Sequence, residues 1–207
     1  MAQESYSIKT IIIGKEYVGK TSLTLKLLKV STNVIEPTIG ASFQIFKNNN
    51  IRYDIWDTAG QERYLSIVRM FYTGAQIVLL VYDLSNLQTI ERVKYHLDKL
   101  SQMFDPNQLK ILIIGNKLDM VTDTTQATEL IDDIINKSIY KENMQHILTS
   151  VLSDENIITL IEKIDEYGQE ILFKIKSRSE EFIEEQICLS ENTDKSFYQK
   201  LLNRCMW

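Results

Sequence analysis

The sequence contains few cysteines, no long apolar run and no excess of positive charge. Its 207 residues include only two cysteines, Cys188 and Cys205, so a disulfide-bonded scaffold is excluded and a reducing cytosolic setting is expected. No apolar run approaches the ~18 residues that suggest a membrane-spanning helix. The formal net charge of −5 argues against nucleic acid as the main partner, because contact with the phosphate backbone requires a basic surface.

The start of the sequence also lacks targeting features. Residues 1–6 have neither the basic nor the apolar region of a signal peptide. The second residue is Ala2, whereas N-myristoylation requires a glycine at that position. We therefore expect a cytoplasmic protein, for which association with endomembranes through partners stays open. Hydrophobic residues make up 44% of the chain, which is enough for a real core.

Apolar patterning predicts alternating strands and helices. The runs 8–13, 76–82 and 109–114 are rich in Ile, Val and Leu and do not alternate, as in strands buried on both faces of a parallel sheet. Between and after them, apolar residues recur every three or four positions, as in helices that pack one face on a sheet. Residues 43–55 alternate around a polar turn, residues 48–50, which is a hairpin signal.

These elements together predict a three-layer α/β/α domain. We expect a mostly parallel six-stranded sheet with one antiparallel edge strand and about five helices, over residues 1–174. In such sheets ligands bind at the carboxyl ends of the strands. Residues 175–207 are expected to form a C-terminal extension with short amphipathic helices, which pack on the domain itself, on a partner or on a following domain.

A phosphate-binding loop follows the first predicted strand. Residues 14–21 read GKEYVGKT and match the pattern G-x-x-x-x-G-K-[ST] between a strand and a helix. Gly14 and Gly19 let the backbone curl around phosphate groups. Lys20 supplies charge to the β- and γ-phosphates, and the Thr21 hydroxyl is a natural Mg²⁺ ligand. The motif does not distinguish ATP from GTP.

Two further motifs follow later strands. Asp57 can hold Mg²⁺, Gly60 can offer its N–H to a γ-phosphate, and Gln61 can orient an attacking water; the alternative is a simple strand-ending turn. In the stretch 116–119, NKLD, the carboxylate of Asp119 can accept two hydrogen bonds from the N1 and N2 edge of guanine. Adenine lacks these donors, so the motif favours GTP and GDP.

These motifs resemble those of Ras-superfamily GTPases, and of the Rab branch in particular. The stretches 39–43, 63–64, 71–75 and 80–83 are similar to Rab signatures in and around the two switch regions. The resemblance implies that Thr38 binds Mg²⁺ and senses the γ-phosphate. It also implies an aromatic triad, Phe43, Trp56 and Phe71, that faces effectors; simple core packing is the alternative for Trp56 and Phe71. Effector, exchange-factor and activating proteins are expected to bind the regions 38–43 and 56–71.

The complete candidate site follows from the motifs and the resemblance. The expected Mg²⁺ ligands are Thr21, Thr38 and Asp57, and the catalytic residues are Lys20, Gly60 and Gln61. The residues expected to bind GTP or GDP are Gly14, Val18, Gly19, Lys20, Thr21, Ser22, Thr38, Gly60, Asn116, Lys117, Asp119, Ser150, Val151 and Leu152.

The chain departs from the family pattern at the phosphate and base sites. Glu16 stands where the family has a small residue, beside Gln61 and the γ-phosphate. There a carboxylate repels the triphosphate and obstructs an arginine finger, unless it turns to solvent. Ser31 replaces the aromatic residue that stacks on guanine, a loss on the order of 1 kcal/mol or more. Leu152 replaces the lysine of the last base-contacting loop.

The C-terminus departs from the family as well. The last three residues are CMW, whereas C-a-a-X prenylation requires a cysteine fourth from the end. The cysteine pair typical of Rab proteins is also missing. Either the chain is not prenylated or its natural end lies further on, so no standard motif for membrane attachment is expected.

Two functions of different classes compete. The first is a Rab-like GTP-driven switch that hydrolyses GTP and regulates vesicle or membrane trafficking, with slow intrinsic hydrolysis because of Glu16. The second is a nucleotide-stabilised interaction module with little turnover, which Glu16 and the weakened guanine contacts favour. An ATP-using P-loop kinase or ATPase is the third alternative, against which Asp119 argues.

Overall fold

A six-stranded sheet forms the centre of the protein in the computed structural model, which describes residues 6–30, 38, 40–58 and 70–178. Its strand order is β2-β3-β1-β4-β5-β6. Only β2 and β3 pair antiparallel, and all other neighbours are parallel. The strands are β1 (Ser7–Gly14), β2 (Ala41–Asn48), β3 (Ile51–Thr58), β4 (Ile77–Asp83), β5 (Lys110–Asn116) and β6 (Met144–Leu148). The predicted mostly parallel sheet with one antiparallel edge strand is confirmed.

Helices follow β1, β4, β5 and β6, as expected for a sheet with mostly parallel strands. They are α1 (Lys20–Leu27), α2 (Ile90–Ser101), α3 (Thr125–Lys137) and α4 (residues 157–178), and residues 70–72 are also helical. Short 3₁₀ turns lie at Leu87–Thr89, Pro106–Gln108, Leu118–Met120 and Lys141–Asn143. The chain divides into two compact units, Met1–Gly168 and Gln169–Trp207, and the first ends within α4. Most of the predicted extension lies outside the described residues.

The core lies on both faces of the sheet because the central strands have no polar face. Every residue of β4 and of β5 is buried, as expected for parallel strands covered on both sides. Alternate strand residues such as Ile11 and Ile13 form one cluster with the apolar residues of α2 and α3. The intervening residues Ile8 and Ile12 are fully buried too. The opposite side is covered by α1 and the first part of α4, where Leu23, Leu27, Leu160 and Ile164 are buried as well. Burial of each such side chain stabilises the fold by about 1.5–3 kcal/mol.

The β2–β3 hairpin turns through two asparagines in the left-handed conformation. Asn49 and Asn50 have φ angles of 44° and 64°, which two-residue hairpin turns favour and asparagine tolerates. The side chain of Asn49 donates to Asp165 Oδ2 in α4 over 2.6 Å, and Tyr53 Oη donates to Asp165 Oδ1 over 3.0 Å. Asp165 is 4% exposed. The two hydrogen bonds to this buried carboxylate therefore connect the hairpin to α4.

Gly168 provides a test of this packing. A Cβ atom at position 168 would overlap Tyr53 Oη and lie 2.9 Å from Tyr53 Cζ. We expect Gly168→Ala to lower the free energy of unfolding by about 1–2 kcal/mol, because overpacking costs more than the ~1 kcal/mol that alanine adds to a helix. Urea unfolding measures this change. In a Tyr53→Phe background, which removes Oη, the same substitution should cost clearly less; equal costs in both backgrounds would contradict the packing argument.

Candidate nucleotide-binding site

The phosphate loop connects β1 to α1 through positions where only glycine fits. Gly14 and Gly19 have φ angles of 151° and 96°, which L-residues rarely adopt. A Cβ at Gly14 would overlap the carbonyl oxygen of Val81 in β4, and one at Gly19 would overlap Asn116 Nδ2 in β5. Val18 between them is fully buried. The loop therefore lies directly against the carboxyl ends of two neighbouring strands.

Lys20 lies over this loop at the first residue of α1. Its Nζ donates to the carbonyls of Gly14 and Lys15 over 3.1 and 2.8 Å. The side chain is nearly buried, and desolvation lowers the pKa of Lys20 to about 8, although the charges of Asp57 and Glu16 act to raise it. An ammonium group placed at the N-terminus of a helix, beside inward-facing backbone, is suited to bind phosphate oxygens.

Three oxygen-bearing side chains converge beside Lys20. Thr21 Oγ1 donates to Asp57 Oδ2 over 2.6 Å and lies 2.8 Å from Thr38 Oγ1, which in turn lies 3.4 Å from Asp57 Oδ2. Burial raises the pKa of Asp57, while the hydrogen bond from Thr21, the charge of Lys20 and the hydrogen bond from Thr38 lower it. The three predicted Mg²⁺ ligands are therefore brought together.

The donor set fits a hard divalent cation. Asp57 Oδ1 is buried and has no hydrogen-bond partner within the described part of the chain, so it is available to a cation or to a water bound by one. Two hydroxyls and one carboxylate suit Mg²⁺, which keeps several waters and takes further oxygens from phosphates. The described residues include no cluster of three or more His, Cys, Asp or Glu residues for a metal ion, so an all-carboxylate or thiolate cage is not found there.

The base-binding motif begins at the last residue of β5. Asn116 Nδ2 donates to the carbonyl of Val18 over 2.8 Å, which joins this motif to the phosphate loop. Asn116 Oδ1 is buried and has no hydrogen-bond partner among the described residues, so it can accept from a ligand. Lys117 has a left-handed backbone with φ 66°. Asp119 accepts a short hydrogen bond from Ser150 Oγ, and Leu118 N donates to the carbonyl of Thr149 over 3.0 Å.

The predicted base-contacting loop, residues 150–152, is thus adjacent to Asp119. Ser150 is fully buried, and its Oγ also accepts from Ser153 N over 3.0 Å. Leu152 is 84% exposed, so its side chain extends into solvent instead of packing in the core. Asp154 in the same loop forms an ion pair with Lys26 of α1, a contact that the motifs did not predict.

Several predicted residues fall outside the described part of the chain. Gly60 and Gln61 lie there, as do Ser31 and the two cysteines, so their roles remain predictions. Glu16 is described and is exposed. The residue after it, Tyr17, is 74% exposed and has a φ of 63°, which is unusual for a bulky residue.

The aromatic triad implied by the resemblance is assembled on the sheet edge. The ring centroids of Phe43 and Trp56 lie 5.1 Å apart, and those of Trp56 and Phe71 lie 5.7 Å apart, within the range of favourable aromatic pairs. Phe43 is 43% exposed, and the other two rings are half-buried, so they do not belong to the fully buried core. Lys9 Nζ lies 5.3 Å from the Trp56 ring centroid.

Sequence reasoning assigned no role to Asp83. This carboxylate ends β4 and lies 2.6 Å from Lys117 Nζ. The sequence shows that Asp83 directly follows an apolar run, but it gives no sign that this carboxylate pairs with Lys117.

The glycine loop, the converging hydroxyls and the base motif together define a P-loop nucleotide-binding domain. Comparison with known proteins specifies it further. Residues 9–169 match the model of the Ras family. Mouse "Ras-related protein Rab-17" is 33% identical over 121 residues, which cover 56% of this chain and 56% of that protein.

Two relatives from Dictyostelium discoideum also carry Rab names. "Putative ras-related protein Rab-5B" is 33% identical over 75% of this chain and 72% of its own length, and "Ras-related protein RabQ" is 37% identical over 61% and 64%. The chain therefore belongs to the Ras family, as a Rab-like small GTPase. Within the described residues, no helix is both long enough and apolar enough to cross a membrane.

The contact between Gly19 and Asn116 yields a prediction about the site. We expect Gly19→Ala to weaken GDP binding by about a hundredfold or more, because the added Cβ displaces both the loop backbone and Asn116, whose contacts are each worth about 1–3 kcal/mol. Titration with a fluorescent GDP analogue measures this.

Gly74→Ala is the matched control for backbone strain. Gly74 also has a positive φ, 74°, but a Cβ there meets nothing within 4 Å. Its substitution should reduce stability with little effect on GDP affinity. Similar losses of affinity in both variants would show that strain alone, and not the contact with Asn116, explains the result at Gly19.

Proposed function

We propose that the protein is a GTP-dependent molecular switch of the Rab type that binds and hydrolyses GTP. The observation that carries this proposal is the convergence of Thr21, Thr38 and Asp57. Thr38 comes from the segment before β2, and its hydroxyl can join a cation site only while that segment lies against α1 and β3. A γ-phosphate and its Mg²⁺ would favour this arrangement, and hydrolysis would release it.

The proposed reaction is phosphoryl transfer from GTP to water. When bound, Mg²⁺ neutralises charge on the phosphate oxygens. Lys20, held by two loop carbonyls, is placed to stabilise the charge that develops on the transferred group. Gln61 positions the water and Gly60 donates its N–H to the γ-phosphate in this proposal, as the sequence motif predicts.

We assign the selection of guanine to the base motif and the loop beside it. Asp119 would accept two hydrogen bonds from the base, and its contact with Ser150 holds the two base loops together. Asn116 Oδ1 is a buried acceptor that a nucleotide can satisfy. Asp119 is exposed in the structure, so an adenine nucleotide would gain no hydrogen bonds from it, whereas guanine would gain two.

Partners are expected on the sheet edge that carries the aromatic triad. Phe43, Trp56 and Phe71 form a row of neighbouring rings, and Thr38 precedes Phe43 by five residues in the sequence. In this proposal, a change at the γ-phosphate would alter the surface that effectors contact. Exchange factors and activating proteins would bind the same regions, 38–43 and 56–71. Trafficking of vesicles or membranes is proposed from the Rab-named relatives.

A nucleotide-stabilised interaction module with little turnover is the second candidate. Glu16 and Tyr17, both exposed at the phosphate loop, favour it because they would crowd a γ-phosphate and an activating protein that met there. The solvent-directed Leu152 adds no charge at the base. This candidate predicts stable binding, very slow hydrolysis and a weak response to an activating partner.

The nucleotide that the protein carries distinguishes these candidates. The full chain is purified in Mg²⁺ and denatured, and the released nucleotide is identified by chromatography. We expect GDP, the product of a working hydrolytic cycle. GTP would support the interaction module, an adenine nucleotide would contradict the role of Asp119, and an empty protein that takes up no added guanine nucleotide would contradict nucleotide binding altogether.

Glu16 provides a direct prediction about the rate. Replacing Glu16 with glycine should raise the single-turnover rate of GTP hydrolysis about tenfold, because a like charge near the transferred phosphoryl group is removed. Quenched-flow or filter assays on GTP-loaded protein measure the rate. Glu16→Gln keeps the size and removes the charge, so it separates repulsion from crowding. An unchanged rate in both variants would mean that the carboxylate turns to solvent and has no effect.

A further inference from the structure

The carboxylate of Asp83 forms a contact that the proposed roles do not use. Asp83 Oδ2 lies 2.6 Å from Lys117 Nζ, and the side chains are 9% and 30% exposed. In the register of β4 and β5, Asp83 pairs with Asn116. The carboxylate is therefore at the same sheet edge as the base motif, one residue away from the lysine in that motif.

Asp83 is itself fixed in orientation. Its Oδ1 accepts from Ser85 N over 2.9 Å and from Ser85 Oγ over 2.6 Å. Its backbone N donates to Thr89 Oγ1 over 2.9 Å, and Leu84 N donates to the carbonyl of Asn116 over 2.9 Å. With Oδ1 occupied by Ser85, the other oxygen is directed to Lys117. A side chain held by its own hydrogen bonds can orient a neighbour, as a supporting residue must.

Lys117 needs such a partner. Its backbone is left-handed, with φ 66° and ψ 40°, and its side chain has four rotatable bonds. A free lysine of this kind populates many rotamers, and ordering them at the moment of binding reduces affinity. The ion pair with Asp83 removes this disorder beforehand. It also leaves the apolar stem of Lys117 beside Asn116, where it can contact the face of a planar base.

We propose that Asp83 is a positioning residue that holds Lys117 for binding of the guanine base. This inference rests on the proposed function, since it concerns the base half of the same site. The positioning of Lys117 should contribute more to base binding in this chain than the motif alone suggests. Leu152 is exposed and offers no charge to the base, so we expect the ordered stem of Lys117 to supply a larger share of the base contacts.

The test uses the full chain loaded with a fluorescent GDP analogue, and the measured quantity is the dissociation rate. Asp83→Asn keeps an oxygen for Ser85 but replaces Oδ2 with an NH₂ group that cannot accept from Lys117. We expect dissociation about tenfold faster, the usual effect of losing one charge-assisted hydrogen bond. Asp133→Asn is the matched control, because it breaks the exposed ion pair with Lys137 on α3, and its rate should equal that of the wild type.

A double-mutant cycle separates positioning from a purely structural role. Lys117→Met keeps the stem and removes the ammonium group. In that background Asp83→Asn should accelerate dissociation less than twofold, because its effect passes through Lys117. An equal acceleration in both backgrounds, or an unchanged or slower rate for Asp83→Asn alone, would overturn the inference.

A second variant and the uptake of nucleotide by the wild-type chain complete the test. If Asp83→Asn does not fold, Ser85→Ala loosens the same carboxylate from an exposed position and should accelerate dissociation a few-fold, roughly in proportion to one neutral hydrogen bond; an unchanged rate would overturn the inference. A wild-type chain that takes up no guanine nucleotide would overturn the proposed function, and this is seen before any variant is compared.

Discussion

The hydrogen bond from Asn116 Nδ2 to the Val18 carbonyl joins the two halves of the site. One partner belongs to the phosphate loop and the other ends β5, so the bond fixes the distance between the phosphate loop and the base motif. It forms only because Gly19 lacks a side chain at the point of contact. The parallel sheet makes the bond available, since strands that run the same way end at one edge.

The phosphate-binding part of the site depends on Asp57, which the same sheet edge buries. Asp57 at the end of β3 is completely buried, and a buried carboxylate is costly unless it is paired. Thr21, Lys20 and Thr38 supply that compensation in the structure, and a bound cation would complete it. The same residue contacts Thr21 of α1 and Thr38. In the proposed switch, this contact would couple the γ-phosphate to the surface around Phe43.

Much of this architecture could be predicted from the sequence, because the patterns that indicate strands, turns and the phosphate loop lie within short segments. Non-alternating apolar runs identified β1, β4 and β5, the three asparagines identified the hairpin turn, and glycine spacing identified the phosphate loop. The motifs also identified Thr21, Asp57 and Asn116, which the structure brings to one edge. Long-range pairings gave no such signal. The contact of Asp83 with Lys117 and that of Lys26 with Asp154 join distant segments, and only the register of the strands and the path of the loops bring them together.

Two departures from the family pattern share one structural feature, which is exposure to solvent. Glu16 and Leu152 are both exposed, at the phosphate and base ends of the site respectively. Neither disturbs the buried contacts of Asn116, Lys20 or Asp57, so the framework that holds a nucleotide is intact. In the proposed switch, these two substitutions would therefore act on what approaches from solvent, namely water, an activating protein and the base. Glu16 would then affect hydrolysis more than binding, because the buried contacts that precede binding do not include it.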